Sequence, residues 1–240
     1  MTEATKIAGA RRLLQQTIEH LKSKKRCLFL TTSTRWSGEK GGEMPKSTQL
    51  ANKIAAVIGN GKVSVLDIAG LKIYTCEGNV SAARGNTCGL KGAALDDAEK
   101  NPTGFHRCWA SANNPDDELW RVSRQLFQSD CVVFFGSIRW GQMNSVYQRL
   151  LERLTWIENR HSTLGEENIV GGIDVGIIAV GQNWNGKSAV EHQKKVLGFF
   201  GFHVVDALCW NWQFTDDIVD ESNKSYKDAA SEFKKIFIES

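Results

Sequence analysis

Apolar positions along the chain fall into two rhythms, and their alternation predicts the layout. Short continuous apolar runs at 27–30 (CLFL), 131–135 (CVVFF) and 174–180 (DVGIIAV) read as strands buried on both faces, as in a parallel sheet. Val63, Val65 and Ile68 alternate as a further strand, and 204–210 reads as the last one. Helical spacing fills the gaps. Ile7, Leu13, Leu14, Ile18 and Leu21 mark a helix over 5–24, and Leu50, Ile54, Ala55 and Ile58 mark one over 47–59. Ser47 or Thr48 is the expected N-cap of the second, and Gly59-Asn60-Gly61 its end. Asn114-Pro115-Asp116-Asp117 predicts a helix start with an acidic first turn, running to Gln128 through Leu119, Val122 and Leu126. Three more helices are expected over 144–159, 187–200 and 222–238.

Strand and helix alternate five times without repeat or linker, so one doubly wound α/β domain over 26–240 is expected, preceded by a helical extension over 1–25. Residues 74–115 interrupt the rhythm. That stretch is dotted with glycine and alanine and only weakly periodic, which marks an insertion that serves as a functional loop or subdomain.

Composition narrows the function classes. At 240 residues, 41% hydrophobic and 24% charged, the chain reads as soluble and globular. Thirty basic against 27 acidic residues is too even for a nucleic-acid binder, and no basic stripe interleaved with aromatics appears. No run reaches membrane-spanning length and the N-terminus lacks a signal-peptide centre, so a cytoplasmic protein with free thiols is expected. Cys76, Cys88 and Cys108 lie in the insertion without a CxxC, and the five histidines lack metal spacing; no metal is expected. Asp96-Asp97 and Asp216-Asp217 read as loop or cap carboxylates. Of eight tryptophans, Trp120, Trp156, Trp210 and Trp212 sit on regular elements. Trp36, Trp109, Trp140 and Trp184 fall in loops, where such rings face flat ligands or partner chains.

The candidate chemistry lies in three strand-to-helix loops, which emerge together at the carboxyl edge of such a sheet. In the first, Thr31, Thr32, Ser33, Thr34 and Arg35 lead through a glycine-rich stretch to Pro45-Lys46-Ser47-Thr48. Hydroxyls, a cation and a helix N-terminus together suit a phosphate; an ordinary solvated connection is the alternative. Neither GxGxxG nor GxxxxGK[ST] is present, which points to a mononucleotide. The second loop, 136–143, carries Arg139 and Trp140 between glycines. The third, 181–186, offers Gln182, Asn183 and Trp184. A phosphate site beside flat surfaces and amides suits a phosphorylated aromatic heterocycle, of which FMN is the commonest redox example.

The run Phe134-Phe135-Gly136-Ser137-Ile138-Arg139-Trp140-Gly141-Gln142-Met143, followed by VYQRLLERL, resembles the flavodoxin-like NAD(P)H-dependent FMN or quinone reductases. Their pattern here is an apolar strand, a segment like SPVYWGSM, then a helix; Ser137 stands in place of the proline and Arg139 in place of the aromatic. Ser33, Arg35, Ser47 and Thr48 match the family's GSxRxxSxT, with about ten additional residues, 36–45, between the halves. The resemblance covers 26–210.

It implies a five-stranded parallel sheet of order 2-1-3-4-5 with FMN at its carboxyl edge. Thr32, Ser33, Thr34, Arg35, Ser47, Thr48 and Gln49 would then meet the phosphate. Ser137, Ile138, Arg139, Trp140, Gly141, Gln142 and Met143, with Gly181, Gln182, Asn183 and Trp184, would meet the ring. Arg139 would favour the reduced, negatively charged cofactor. Hydride would come from NAD(P)H and leave to a quinone, flavin or other small acceptor, with no side-chain nucleophile or general base. A homodimer or homotetramer is implied, with 74–115 and an exposed Trp109 as contacts, and no nucleic acid or membrane span. A flavodoxin-type electron carrier and a flavin-free interaction protein on the same fold remain the alternatives.

Overall fold

Strands built on continuous apolar runs (CLFL, CVVFF, VGIIAV) occupy the middle of the sheet, and the more exposed strands Val63–Asp67 and His203–Gln213 occupy its edges. The computed structural model describes residues 3–35, 42–59 and 61–239; residues 36–41, with Trp36 and most of the glycine-rich stretch, and Asn60 lie outside them. Helix α1 (Glu3–Lys22) leads into β1 (Cys27–Thr31), α2 (Lys46–Ile58) and β2 (Val63–Asp67). The insertion holds β3 (Val80–Ser81), β4 (Gly85–Asn86) and a short α3 (Trp109–Asn113). After it come α4 (Leu119–Leu126), β5 (Cys131–Arg139), β6 (Gln142–Met143), α5 (Ser145–Arg153) and α6 (Thr155–Ser162). The chain closes with β7 (Asp174–Gly181), α7 (Gly186–Phe199), β8 (His203–Gln213) and α8 (Asn223–Phe237).

The five long strands pair in parallel in the order β2-β1-β5-β7-β8, the 2-1-3-4-5 arrangement expected from the sequence. Because successive side chains point to opposite faces, each central strand feeds two cores. Leu28, Leu30, Val132, Phe134, Val175 and Ile177 pack with α4, α5, α6 and α7. Cys27, Phe29, Cys131, Val133, Phe135, Ile178 and Val180 face α1, α2 and α8.

Several local expectations give way to tertiary contacts. Pro45, at φ −55°, and not Ser47 or Thr48, is the N-cap of α2, and its carbonyl accepts from Gln49 N at 2.9 Å. The Ser47 hydroxyl is used elsewhere: it donates to Ser33 Oγ at 2.7 Å. β2 ends at Asp67, whose carboxylate caps the tight turn holding Ile68. The helix expected from Asn114 starts instead at Leu119, because Asp117 turns inward to a buried ion pair with Arg153. The single helix expected over 144–159 is α5 and α6, divided at Leu154, whose N–H is shared between Leu150 O and Leu151 O. β5 does not break at Gly136 but runs on to Arg139 and folds back as β6. Trp109 is half-buried, not an exposed contact; its indole N–H donates to Thr87 O at 2.8 Å.

β8 is also longer than expected and bulges. Val175 pairs Val204 but Ile177 pairs Cys209, so three extra residues of β8 arch over Gly176. The crest of this arch, Ala207 O, accepts from Thr17 Oγ1 of α1 at 2.7 Å, which seats α1 on the sheet. A Cβ on residue 176 would stand 2.2 Å from Leu208 Cβ and 2.5 Å from Leu208 O. Gly176→Ala is therefore expected to cost about 1–3 kcal/mol or more through overpacking, measured as a lower denaturation midpoint at unchanged slope.

Candidate functional site

At the carboxyl ends of β1, β5 and β7, where the strand order reverses direction, a cavity of about 440 Å³ opens. Its size falls within the range of small-molecule sites. Its walls come from all three of the loops singled out in the sequence: Ser33, Thr34, Arg35 and Ser47 from the first, Ser137, Ile138, Arg139 and Trp140 from the second, and Gly181, Gln182, Asn183 and Trp184 from the third.

One corner gathers positive charge and unbonded helix N–H groups. Lys46, Ser47 and Thr48 open α2 ahead of the first intrahelical bond, from Gln49 N, so their N–H groups precede the ladder. Lys46 and Arg35 line this corner together. Burial pushes the Lys46 ammonium below the usual lysine range, and the nearby Arg35 charge pushes it further the same way, with Glu43 only partly opposing. Glu43 is exposed and 3.7 Å from Arg35, so screening leaves it a weak counter-ion.

The opposite side is a hairpin tip clamped from below. Arg139 pairs Gln142 and Ile138 pairs Met143, leaving Trp140-Gly141 as a two-residue turn with φ of 50° and 71°. Gly141 lies under the Trp184 ring, where a Cβ would approach ring carbons to 2.8 Å, and its carbonyl accepts from Asn185 Nδ2 at 2.6 Å. The close approach requires glycine.

Six of the site residues expected from sequence lie off the cavity wall. Thr32 is buried behind it, donating to Phe135 O at 3.2 Å and accepting from Asn144 Nδ2 at 3.1 Å. Thr48 and Gln49 belong to the body of α2, with Gln49 Nε2 donating to Met44 O at 2.6 Å. Gly141 and Met143 are buried supports of the hairpin, and Gln142 is exposed on it.

The wall includes residues that sequence reasoning missed: Pro45, Lys46, Val180, Ile218, Glu221 and Tyr226. The last three come from the connection after β8 and the start of α8, which folds back over the third loop. Gln182 O accepts from Thr215 N at 3.0 Å, and Gln182 Nε2 donates to Ser225 Oγ at 2.7 Å. Asn183 Nδ2 donates to Ile218 O at 3.3 Å and to Glu221 Oε1 at 2.9 Å. The side-chain amides expected to face a ligand are thus committed to holding this wall. The Tyr226 hydroxyl donates to Glu221 Oε2; that bond, and then the Asn183 amide, hold the Glu221 carboxyl below the usual range.

Among the described residues no cluster of three or more His, Cys, Asp or Glu is arranged to hold a metal ion, and no helix is long and apolar enough to cross a membrane. No family model and no curated protein matches the chain. Solved structures do. RosB with its bound intermediate 8-demethyl-8-formylriboflavin-5′-phosphate is 14% identical, with 88% of this chain and 74% of that one covered and a TM-score of 0.57. An azoreductase from Bacillus anthracis str. Sterne is 12% identical, covering 88% of this chain and 96% of that one, with a TM-score of 0.50. At these identities the likeness is one of architecture. Strand order, the cavity at the switch point and these two superpositions agree: the chain has the flavodoxin-like fold.

Proposed function

We propose that the cavity holds FMN and that the chain is an NAD(P)H-dependent oxidoreductase acting on a quinone, a flavin or another small acceptor. The observation that carries this reading is the anion corner. Two cations, Arg35 and Lys46, and the hydroxyls of Ser33, Thr34 and Ser47 meet at the start of α2, on the same cavity that Ser137, Ile138, Gly181 and Gln182 line. A half-buried lysine pressed below its usual pKa by burial and by a neighbouring arginine is short of an anion, and a phosphate dianion would relieve it.

Bound FMN would supply two-electron chemistry, accepting a hydride and giving it up again. The chain's own residues would place it. Ser33, Thr34, Arg35, Lys46 and Ser47 would take the phosphate, while Ser137, Ile138, Gly181 and Gln182 would flank the ring. The support from RosB is that a riboflavin-5′-phosphate derivative is what that protein binds. Arg139 is exposed at the mouth, so solvent screening leaves it a small part in stabilising a reduced cofactor. No lining side chain need act as nucleophile or general base. A cytoplasmic homodimer or homotetramer belongs to the same proposal.

The test is the chromophore. Protein purified and then denatured is expected to release FMN, and protein stripped of it to rebind added FMN. The bound form should absorb near about 450 nm and bleach on addition of NADH or NADPH. A colourless protein that takes up no FMN would overturn the reading. Bound FMN that neither nicotinamide bleaches would reduce the protein to an electron carrier.

A further inference from the structure

Hydrogen bonds behind the second loop form a closed set with one donor left over. Asn144 is buried at the N-cap of α5, where its Oδ1 accepts from Tyr147 N at 3.1 Å. That bond settles which way the amide faces, because a flipped amide would set its NH2 against the Tyr147 N–H. Its Nδ2 therefore points at the strand ends, donating to Thr32 Oγ1 at 3.1 Å and more weakly to Ser137 Oγ at 3.4 Å. Thr32, fully buried, gives its own hydrogen to Phe135 O at 3.2 Å. Gly136 lets these groups close in: a Cβ there would stand 2.9 Å from Thr32 Oγ1 and 3.3 Å from Asn144 Nδ2.

Ser137 is the member of this set that reaches the cavity wall. Its hydroxyl oxygen accepts from Asn144, and among the described residues its hydrogen goes to no protein atom. A serine hydroxyl can donate or accept; one whose oxygen is already engaged by an amide is left to act as a donor. The partner open to that hydrogen is whatever occupies the cavity. Proline, which the resembled segment has at this position, offers no such group, so the donor is particular to this chain.

We infer that the Ser137 hydroxyl, oriented by Asn144, donates a hydrogen bond to an acceptor atom of the bound flavin ring and raises its reduction potential. The inference rests on the FMN reading of the cavity and deepens it: Ser137 tunes the cofactor, and Asn144 is a positioning residue behind it. A ring that takes up a hydride gains two electrons and one proton, hence one unit of negative charge. Hydrogen bonds to a charged acceptor are about twice as strong as those to a neutral one. The same donor therefore holds the reduced ring more tightly than the oxidised ring.

Ser137→Ala removes the donor and little else. Its affinity for reduced FMN is expected to fall about tenfold relative to that for oxidised FMN, a midpoint potential about 30 mV more negative for a two-electron couple. The measurement is equilibration of the FMN-loaded protein with a reference dye. Oxidised FMN and riboflavin should weaken alike, by about two- to tenfold, since both carry the ring. Asn144→Ser keeps a cap for Tyr147 N without the amide, and should move the potential in the same direction by less. Because Asn144 acts through the hydroxyl, adding Asn144→Ser to Ser137→Ala should move the potential no further. An unchanged or less negative potential in Ser137→Ala would overturn the donor role. So would a loss of FMN affinity that riboflavin does not share, which would put the hydroxyl on the phosphate. A further shift in the double variant would overturn the positioning role of Asn144. A chain that binds no FMN would overturn the cavity reading itself, whereas an unchanged potential in a protein that binds FMN would leave that reading standing.

Discussion

Arg153→Met is expected to lower stability by about 3–5 kcal/mol, the cost of leaving one member of a buried ion pair without its partner. Arg153 and Asp117 have fully buried side chains and meet through two parallel bonds, Nη1 to Oδ1 at 2.8 Å and Nη2 to Oδ2 at 3.0 Å. The guanidinium also donates to Tyr74 O at 2.7 Å and to Ser111 Oγ at 2.9 Å. It thereby fastens both ends of the insertion, Tyr74 at its start and Ser111 with Asp117 at its close, onto α5. Methionine has nearly the right volume but leaves Asp117 charged in a dry core. For a chain of this size the loss corresponds to a Tm lower by roughly 10 °C, read by thermal denaturation.

The pH dependence has a defined sign. Burial pushes the Asp117 carboxyl up, but the Arg153 bonds, the Tyr74 N–H and the Ser111 hydroxyl outweigh it and hold it below the usual aspartate range. A carboxylate with a depressed folded pKa contributes stability above its unfolded pKa, about 4, and loses that contribution as pH falls through the lower folded value. The unaltered chain should therefore lose stability over that acidic window. Arg153→Met should lose less, because protonation there removes the uncompensated charge, so the gap between the two narrows. Arg153→Lys, which keeps the charge but not the fork, should fall between them. A gap independent of pH would mean that the loss is one of packing and not of charge.

How much of this was legible in the sequence follows from which forces act locally. The runs CVVFF and DVGIIAV disclosed the central strands because a strand buried on both faces must be apolar throughout, and five strand–helix alternations leave few topologies. Arg153 was not legible as core: on a helix a lone arginine looks like surface, and its partner lies 36 residues away in an irregular segment. The β5–β6 hairpin was hidden for the opposite reason. Trp-Gly is a poor type I′ turn, so propensity argued for a break at Gly136 where tertiary contacts with Trp184 and Asn185 impose a turn.

The same logic divides the candidate site. Residues that follow a strand directly, such as Ser33 and Asn183, line one cavity because sheet topology delivers them there. Ile218, Glu221 and Tyr226 were missed. They reach the cavity by folding back across Asn183, a contact that leaves no periodic trace. Lys46 was quoted beside Ser47 but not chosen, although the dense charge of the corner depends on it.

Lys46→Met is expected to weaken FMN binding by about 10- to 100-fold, the range for losing one charge-assisted contact to a phosphate. The apo protein should behave in the opposite sense. Without ligand, Lys46 bears a desolvation cost and the repulsion of Arg35 with only exposed Glu43 in return, so its removal should leave the apo Tm unchanged or raise it. The gain in Tm on adding FMN should then shrink, since ligand stabilisation follows the ratio of FMN concentration to Kd. Two controls isolate the phosphate. Riboflavin, which lacks it, should bind both proteins alike. In the unaltered chain FMN affinity should fall as pH rises through the lowered Lys46 pKa, because the anion favours the charged ammonium, and Lys46→Met should lack that component. Equal losses for FMN and riboflavin, measured by quenching of flavin fluorescence, would remove the phosphate from this corner.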